Sequence, residues 1–188
     1  GLLGVPADEE SLIRHYTLSP ADQLEITVCR RRHNRLGFAI QLCLMRYPGR
    51  TLMPNEVPPG AMLDYIADQL GTDPDSFQFY AQREPTRLEH VSHLLAYLGM
   101  RTAAAPDRRA ALVSAIEAAS ATDKGSMIAR AIITTFREHH VLLPPPETIE
   151  RIGLAGRAIA QQAQPAHQQR RVKRRQEQHD VEELQPDG

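Results

Sequence analysis

Tryptophan is absent from this 188-residue chain, and four Phe and five Tyr leave it with 5% aromatic residues against 41% hydrophobic. An apolar set so dominated by Ala and Leu favours helices over a β-sandwich. No segment sustains the period-two alternation of a half-buried strand. Two cysteines, Cys29 and Cys43, are too few for a disulfide framework and lack the CxxC spacing of a structural zinc site, which predicts a reduced, intracellular protein. The longest apolar run, Phe38 to Met45, is interrupted by Gln41 and falls far short of the roughly 20 residues of a membrane span. The opening GLLGVPADEE has neither Met nor a basic region, so it reads as neither a signal peptide nor a natural start. Phosphate-binding glycine loops, GxSxG, HExxH and dinucleotide fingerprints are all missing.

What is present is helical punctuation. Acids in the first turn of DEESLIRHY predict a helix over 8–16, and Ser19-Pro20 with Asp22 predicts a second running to about Arg31, with Leu24 and Val28 on its core stripe. Leu36, Ile40, Cys43, Leu44 and Tyr47 at helical spacing predict a third, deeply buried helix that Pro48-Gly49 ends. Further helices are expected over 59–70, 74–82, 85–98, 107–120, 123–140 and 147–164. The reading is an all-α, multi-helix bundle with helix-turn-helix-like units. It divides into two helical subdomains, 1–100 and 101–164, joined near TAAAP. Leu36, Phe38, Ile40, Leu44, Leu63, Ile66, Leu94, Leu95 and Leu98 are its expected core, and the polar stretch 165–188 is expected to be a disordered tail.

The formal net charge of −1 conceals one more absence: no acid occurs between Glu25 and Glu56, while Arg30, Arg31, Arg32, Arg35, Arg46 and Arg50 all fall there. Six uncancelled cations beside a break at His33-Asn34 suit phosphate binding, and Asn and Arg are side chains able to read base edges. The competing reading is that Arg30 to Arg32 decorate a helix C-terminus, where cations suit the dipole, and that Asn34 merely caps the next helix. Other candidates are weaker. Cys29 and His33 lack two further ligands, Asp64 and Asp68 suit a solvated helix face, and His139-His140 suits a helix end. Arg170, Arg171, Lys173, Arg174 and Arg175 form a basic tract that five following acids neutralise. No metal or cofactor is expected.

The run LIRHYTLSPAD (Leu12 to Asp22) followed by HNRLGFAIQLCLMRYPGR (His33 to Arg50) resembles the opening of Tn3-family bacterial transposases, a DUF4158-like N-terminal region. Tyr80-Ala81-Gln82-Arg83-Glu84, then His90, Leu94 to Gly99 and LLPPPETIER continue the likeness, which covers about residues 1–164. The resemblance implies a DNA-binding region that recognises a transposon's terminal inverted repeats in the bacterial cytoplasm. It also implies that cut-and-join chemistry belongs to a distant RNase H-like domain with a magnesium-binding Asp-Asp-Glu set, so that this chain is not itself an enzyme. Arg30, Arg31, Arg32, His33, Asn34, Arg35, Arg46 and Arg50 are the expected DNA-binding residues. A truncated or frameshifted transposase would account for the abrupt change at Pro165. The alternative is an interaction module that assembles with a full-length transposase and makes no DNA contact.

Overall fold

The computed structural model describes residues 3–53, 55–80 and 84–163. The tail from Pro165, with its basic tract, lies outside them, as do 81–83 of the Tyr80–Glu84 run. Among the described residues the chain is α-helical and holds no β-strand, only an isolated bridge between Arg101 and Val141.

Local capping explains most of the elements. Helix α1 (Glu9–Tyr16) starts where the Asp8 side chain accepts from the Ser11 N–H. Helix α2 (Pro20–Ile26) starts in a reciprocal box: the Ser19 hydroxyl accepts from Asp22 N–H while the Asp22 carboxylate accepts from Ser19 N–H. Helix α3 (Arg32–Arg46) follows, then α4 (Gly60–Leu70), closed by Gly71 at φ 58° in the left-handed region that glycine tolerates. A 3₁₀ turn at Pro74–Phe79 leads to α5 (Glu84–Leu98). Beyond it come α6 (Ala105–Ala121), α7 (Gly125–Glu138) and α8, residues 146–163.

Three expectations are corrected here. Helix α2 ends at Ile26, not Arg31: Thr27 and Val28 N–H close onto Leu24 and Glu25 carbonyls in tightened i,i+3 bonds, and the Thr27 hydroxyl also donates to Leu24 O. Stopping there buries Ile26 and Cys29, whereas Leu24 and Val28 point to solvent. Residues 74–79 form a 3₁₀ turn in place of an α-helix, its Phe77 and Tyr80 packed on the core. Of the expected core, Leu36, Phe38, Ile40, Leu44, Ile66 and Leu94 are buried, while Leu63, Leu95 and Leu98 pack only partly buried around them.

The chain forms two compact units. Unit 1, residues 1–103 with 136–144, is built around α3, in which every residue from Leu36 to Met45 is buried. Burying each large apolar side chain stabilises by about 1.5–3 kcal/mol, so this helix anchors the unit. Gly37 lets the Tyr80 ring lie directly on it; a Cβ there would sit 2.0 Å from the ring. Segment 136–144 is fastened to the turn after α3. Arg137 Nε and Nη2 donate to Pro48 O at 3.0 and 2.6 Å, and Leu143 N–H donates to Gly49 O at 2.9 Å. The Arg137 guanidinium also lies over the Tyr47 ring, which stacks on His15.

Unit 2, residues 104–135 with the chain from Pro145, contains α6, most of α7 and α8. Small residues let its helices approach: a Cβ on Gly156 would meet the Ala115 Cβ at 2.6 Å. The Ser114 hydroxyl of α6 and the Thr135 hydroxyl of α7 pair at 2.7 Å.

Candidate nucleic-acid interface

The structure divides the Arg-rich window into two groups at opposite ends of α3. Arg30 and Arg31 lie on the loop 27–31, Arg31 as the residue preceding α3; Arg32 is the first helical residue and His33, Asn34 and Arg35 complete the first turn. Arg46 is the last helical residue and Arg50 lies beyond it. Fourteen residues at 1.5 Å each put Arg46 about 21 Å from Arg32. That exceeds a physiological Debye length, so the groups act separately.

The distal pair is occupied by the fold. Arg46 Nη1 and Nη2 bind the two Asp22 carboxylate oxygens at 2.6 and 2.5 Å, and Asp22, with 0% exposure, also accepts from Tyr97 OH and Ser19 N–H. Burial alone would push the Asp22 carboxyl up; the Arg46 pair, the Ser19 N–H and the Tyr97 hydroxyl outweigh it and hold the group at about 2. Arg50 pairs in the same two-pronged way with Glu56, both contacts 2.7 Å, and donates further to the Leu3 and Thr51 carbonyls. Neither cation stands ready for a phosphate. No charge count reveals this, because both partner acids, Asp22 and Glu56, lie outside the acid-free window.

The proximal group is different. Arg30, Arg31, Arg32 and Arg35 are exposed, and among the described residues the guanidiniums of Arg30, Arg31 and Arg32 have no ion-pair or hydrogen-bond partner. Arg35 Nε donates to Cys29 O at 2.7 Å, which folds the loop back onto the first turn. Because α2 has already ended at Ile26 with no basic residue in its last turn, these arginines do not decorate a helix C-terminus. They crowd the N-terminal, positive end of α3, which carries no acid in its first turn and no side-chain cap. Like charges on the positive end of a helix dipole oppose folding. Among the described residues no acid neutralises these arginines, and exposed backbone N–H groups with cations at a helix N-terminus are the groups to which anions bind.

Side chains that the sequence reading did not nominate hold this loop from beneath. His90 Nε2 on α5 lies 3.5 Å from the Cys29 sulfur, and its Nδ1 lies 3.1 Å from Tyr80 OH. His93 pairs with Glu25 at 2.7 Å, engaging the acid nearest the loop. Burial pushes the Cys29 thiol up to about 11, so at neutral pH it stays protonated and is not an activated nucleophile, and the His33 ring meets that of Phe79. Among the described residues no three His, Cys, Asp or Glu side chains converge as a metal site, and no helix is long and apolar enough to cross a membrane. With Leu36 to Met45 buried, α3 presents outward its first turn and, at the opposite end, the Asp22-bound Arg46.

A family described as a domain of unknown function, DUF4158, matches residues 1–155. Over 150 residues the chain is 41% identical to the transposase for transposon Tn21 of Escherichia coli and 38% identical to that for Tn501 of Pseudomonas aeruginosa, in each case 80% of this chain and 15% of the relative. It is 30% identical over 157 residues to the transposase for Tn1546 of Enterococcus faecium, 84% of this chain and 16% of that protein. The chain therefore spans about 15% of the length of these curated relatives. This chain belongs to the DUF4158 family and is homologous to the N-terminal region of Tn3-family transposases.

Proposed function

We propose that the chain is a DNA-binding module of a Tn3-family transposase that engages the terminal inverted repeats of its transposon in the bacterial cytoplasm and leaves the cut-and-join chemistry to another part of the enzyme. One observation carries this reading: three exposed arginines, Arg30, Arg31 and Arg32, which have no ion-pair or hydrogen-bond partner among the described residues, cluster at the N-terminal end of α3. Arg30 and Arg31 contact phosphates, aided by the backbone N–H groups of the first turn. His33 and Asn34 lie closest to base edges, while Arg35 serves mainly to set the loop. Approach is end-on, by the first turn, because an α3 laid along the major groove would have to expose its buried face. Arg46 and Arg50 are structural in this scheme. A full-length transposase is the natural second partner, and the exposed apolar side chains Val113, Met127, Leu154 and Ile159 in unit 2 favour such protein assembly as the second reading.

The test is a titration of the purified chain against labelled terminal-repeat duplex and an unrelated duplex at two salt concentrations. Arg31→Ala should weaken both complexes alike and flatten the salt dependence by about one counterion. Asn34→Ala should cost about 1–3 kcal/mol on the terminal repeat alone. Binding that ignores salt, or that survives joint replacement of Arg30, Arg31 and Arg32 by Ala, overturns the reading and leaves the assembly role.

A further inference from the structure

Of the three aromatics in the 3₁₀ turn and just after it, Phe77 and Tyr80 pack against the core, whereas Phe79 leaves 49% of its surface in water. It contributes little to the unit's interior. Its ring meets that of His33 at a centroid distance of 6.3 Å and an interplanar angle of 62°, an edge contact that occupies at most one face. His33 follows Arg32 directly, so the exposed ring borders the unpaired arginines at the start of α3, in a window without acids. Asp73 and Asp75 lie at the far end of the same turn, where Asp73 caps it.

An exposed aromatic face beside cations is the combination that binds single-stranded nucleic acid: the arginines hold the backbone and the ring stacks on a base in place of its lost neighbour. We infer that Phe79, propped by His33, is a stacking platform for one unpaired nucleobase of DNA, so that the site prefers a duplex with a splayed or single-stranded end to an intact one. This rests on the DNA-binding reading above and extends it. The arginines alone cannot distinguish a paired from an unpaired strand, since both carry phosphates. A ring can, because a base within the duplex already has both faces covered.

The absence of tryptophan supplies the probe. In the full chain Phe79→Trp introduces a sole tryptophan, excited selectively over the five tyrosines and titrated with a DNA hairpin carrying an unpaired five-thymine 3′ overhang and with the same hairpin blunt-ended. The overhang should quench the Trp emission and the blunt hairpin should not. Phe79→Ala and Phe79→Leu should each lower affinity for the overhang hairpin by about 5- to 150-fold, the range of one base–aromatic stack, and leave blunt-hairpin affinity within twofold. Leu keeps an apolar side chain without a π-face, so retention of the preference in Phe79→Leu overturns stacking. Equal affinities of the unaltered chain for both hairpins, with Arg31-dependent binding intact, also overturn the inference while the DNA-binding reading stands. If neither hairpin binds, that reading fails and the platform with it. Helical circular dichroism of each variant should match that of the parent, as expected for an exposed position.

Discussion

Replacing one member of the Asp22–Arg46 pair should reveal which partner depends on the other. Asp22 is fully buried, whereas Arg46 keeps 33% of its side chain in solvent. Holding the Asp22 carboxyl at about 2 against 3.8 for an ordinary one corresponds to about 2–3 kcal/mol of native-state stability. Asp22→Asn keeps the shape but discards the charge and replaces one of two acceptor oxygens by an NH2 donor, while Arg46 can turn toward water; the expected loss is therefore at least about 2–3 kcal/mol at pH 7. Arg46→Ala should cost more, about 3–5 kcal/mol, because it strands a buried carboxylate. Since the folded value lies below the unfolded one, the contribution is complete above the unfolded value and disappears as pH falls from 3.8 through about 2. Urea denaturation of the parent and both variants at stepped pH measures the differences directly. A cost of Asp22→Asn below about 0.5 kcal/mol at pH 7, or a difference from the parent that does not narrow across that window, would refute the reasoning.

Arg46→Gln and Arg50→Gln should lower the urea midpoint yet leave the salt slope of DNA binding unchanged, whereas Arg32→Ala should do the reverse; filter-binding titrations alongside the melts separate the two groups. Gly37→Ala should destabilise by about 1–3 kcal/mol, because its methyl would overlap the partly buried Tyr80 ring, and Tyr80→Ala should relieve that strain in the double variant. Burial holds His90 below its ordinary value of 6.5, so the unfolded chain takes up a proton there before the folded chain does. Stability should accordingly fall as pH drops below about 6.5, and His90→Gln should flatten that part of the curve; an unchanged curve would show that His90 titrates as it does in solvent.

Features set by near neighbours in the chain were readable from the sequence. Asp8, Ser19-Pro20 and Gly71 act within a turn of themselves, and the helices they bound lie where the residues predict. The end of α2 was not readable, because Leu24 with Val28 and Ile26 with Cys29 offer equally good apolar spacings and only packing chooses the second pair. The candidate site was half legible. Composition exposes a cationic window, but the pairing of Arg46 with a residue 24 positions earlier is tertiary, and so is the contact between His33 and Phe79. A count of charges therefore merges into one patch what the length of α3 separates into two.

The return of residues 136–144 to unit 1 has a consequence for synthesis. Residues 104–135 belong to unit 2, so the ribosome makes α6 and most of α7 before it delivers Arg137 to the Pro48 carbonyl and Leu143 to Gly49. At about 5–20 residues per second that interval lasts roughly 2–7 s. Throughout it the turn after α3 has emerged without the side chain that caps its carbonyl, and Phe136, Val141 and Leu143, all buried in the finished protein, are still to come. Unit 1 is thus finished out of chain order, and a chain that stops anywhere between 103 and 136 lacks the groups that close the far end of α3.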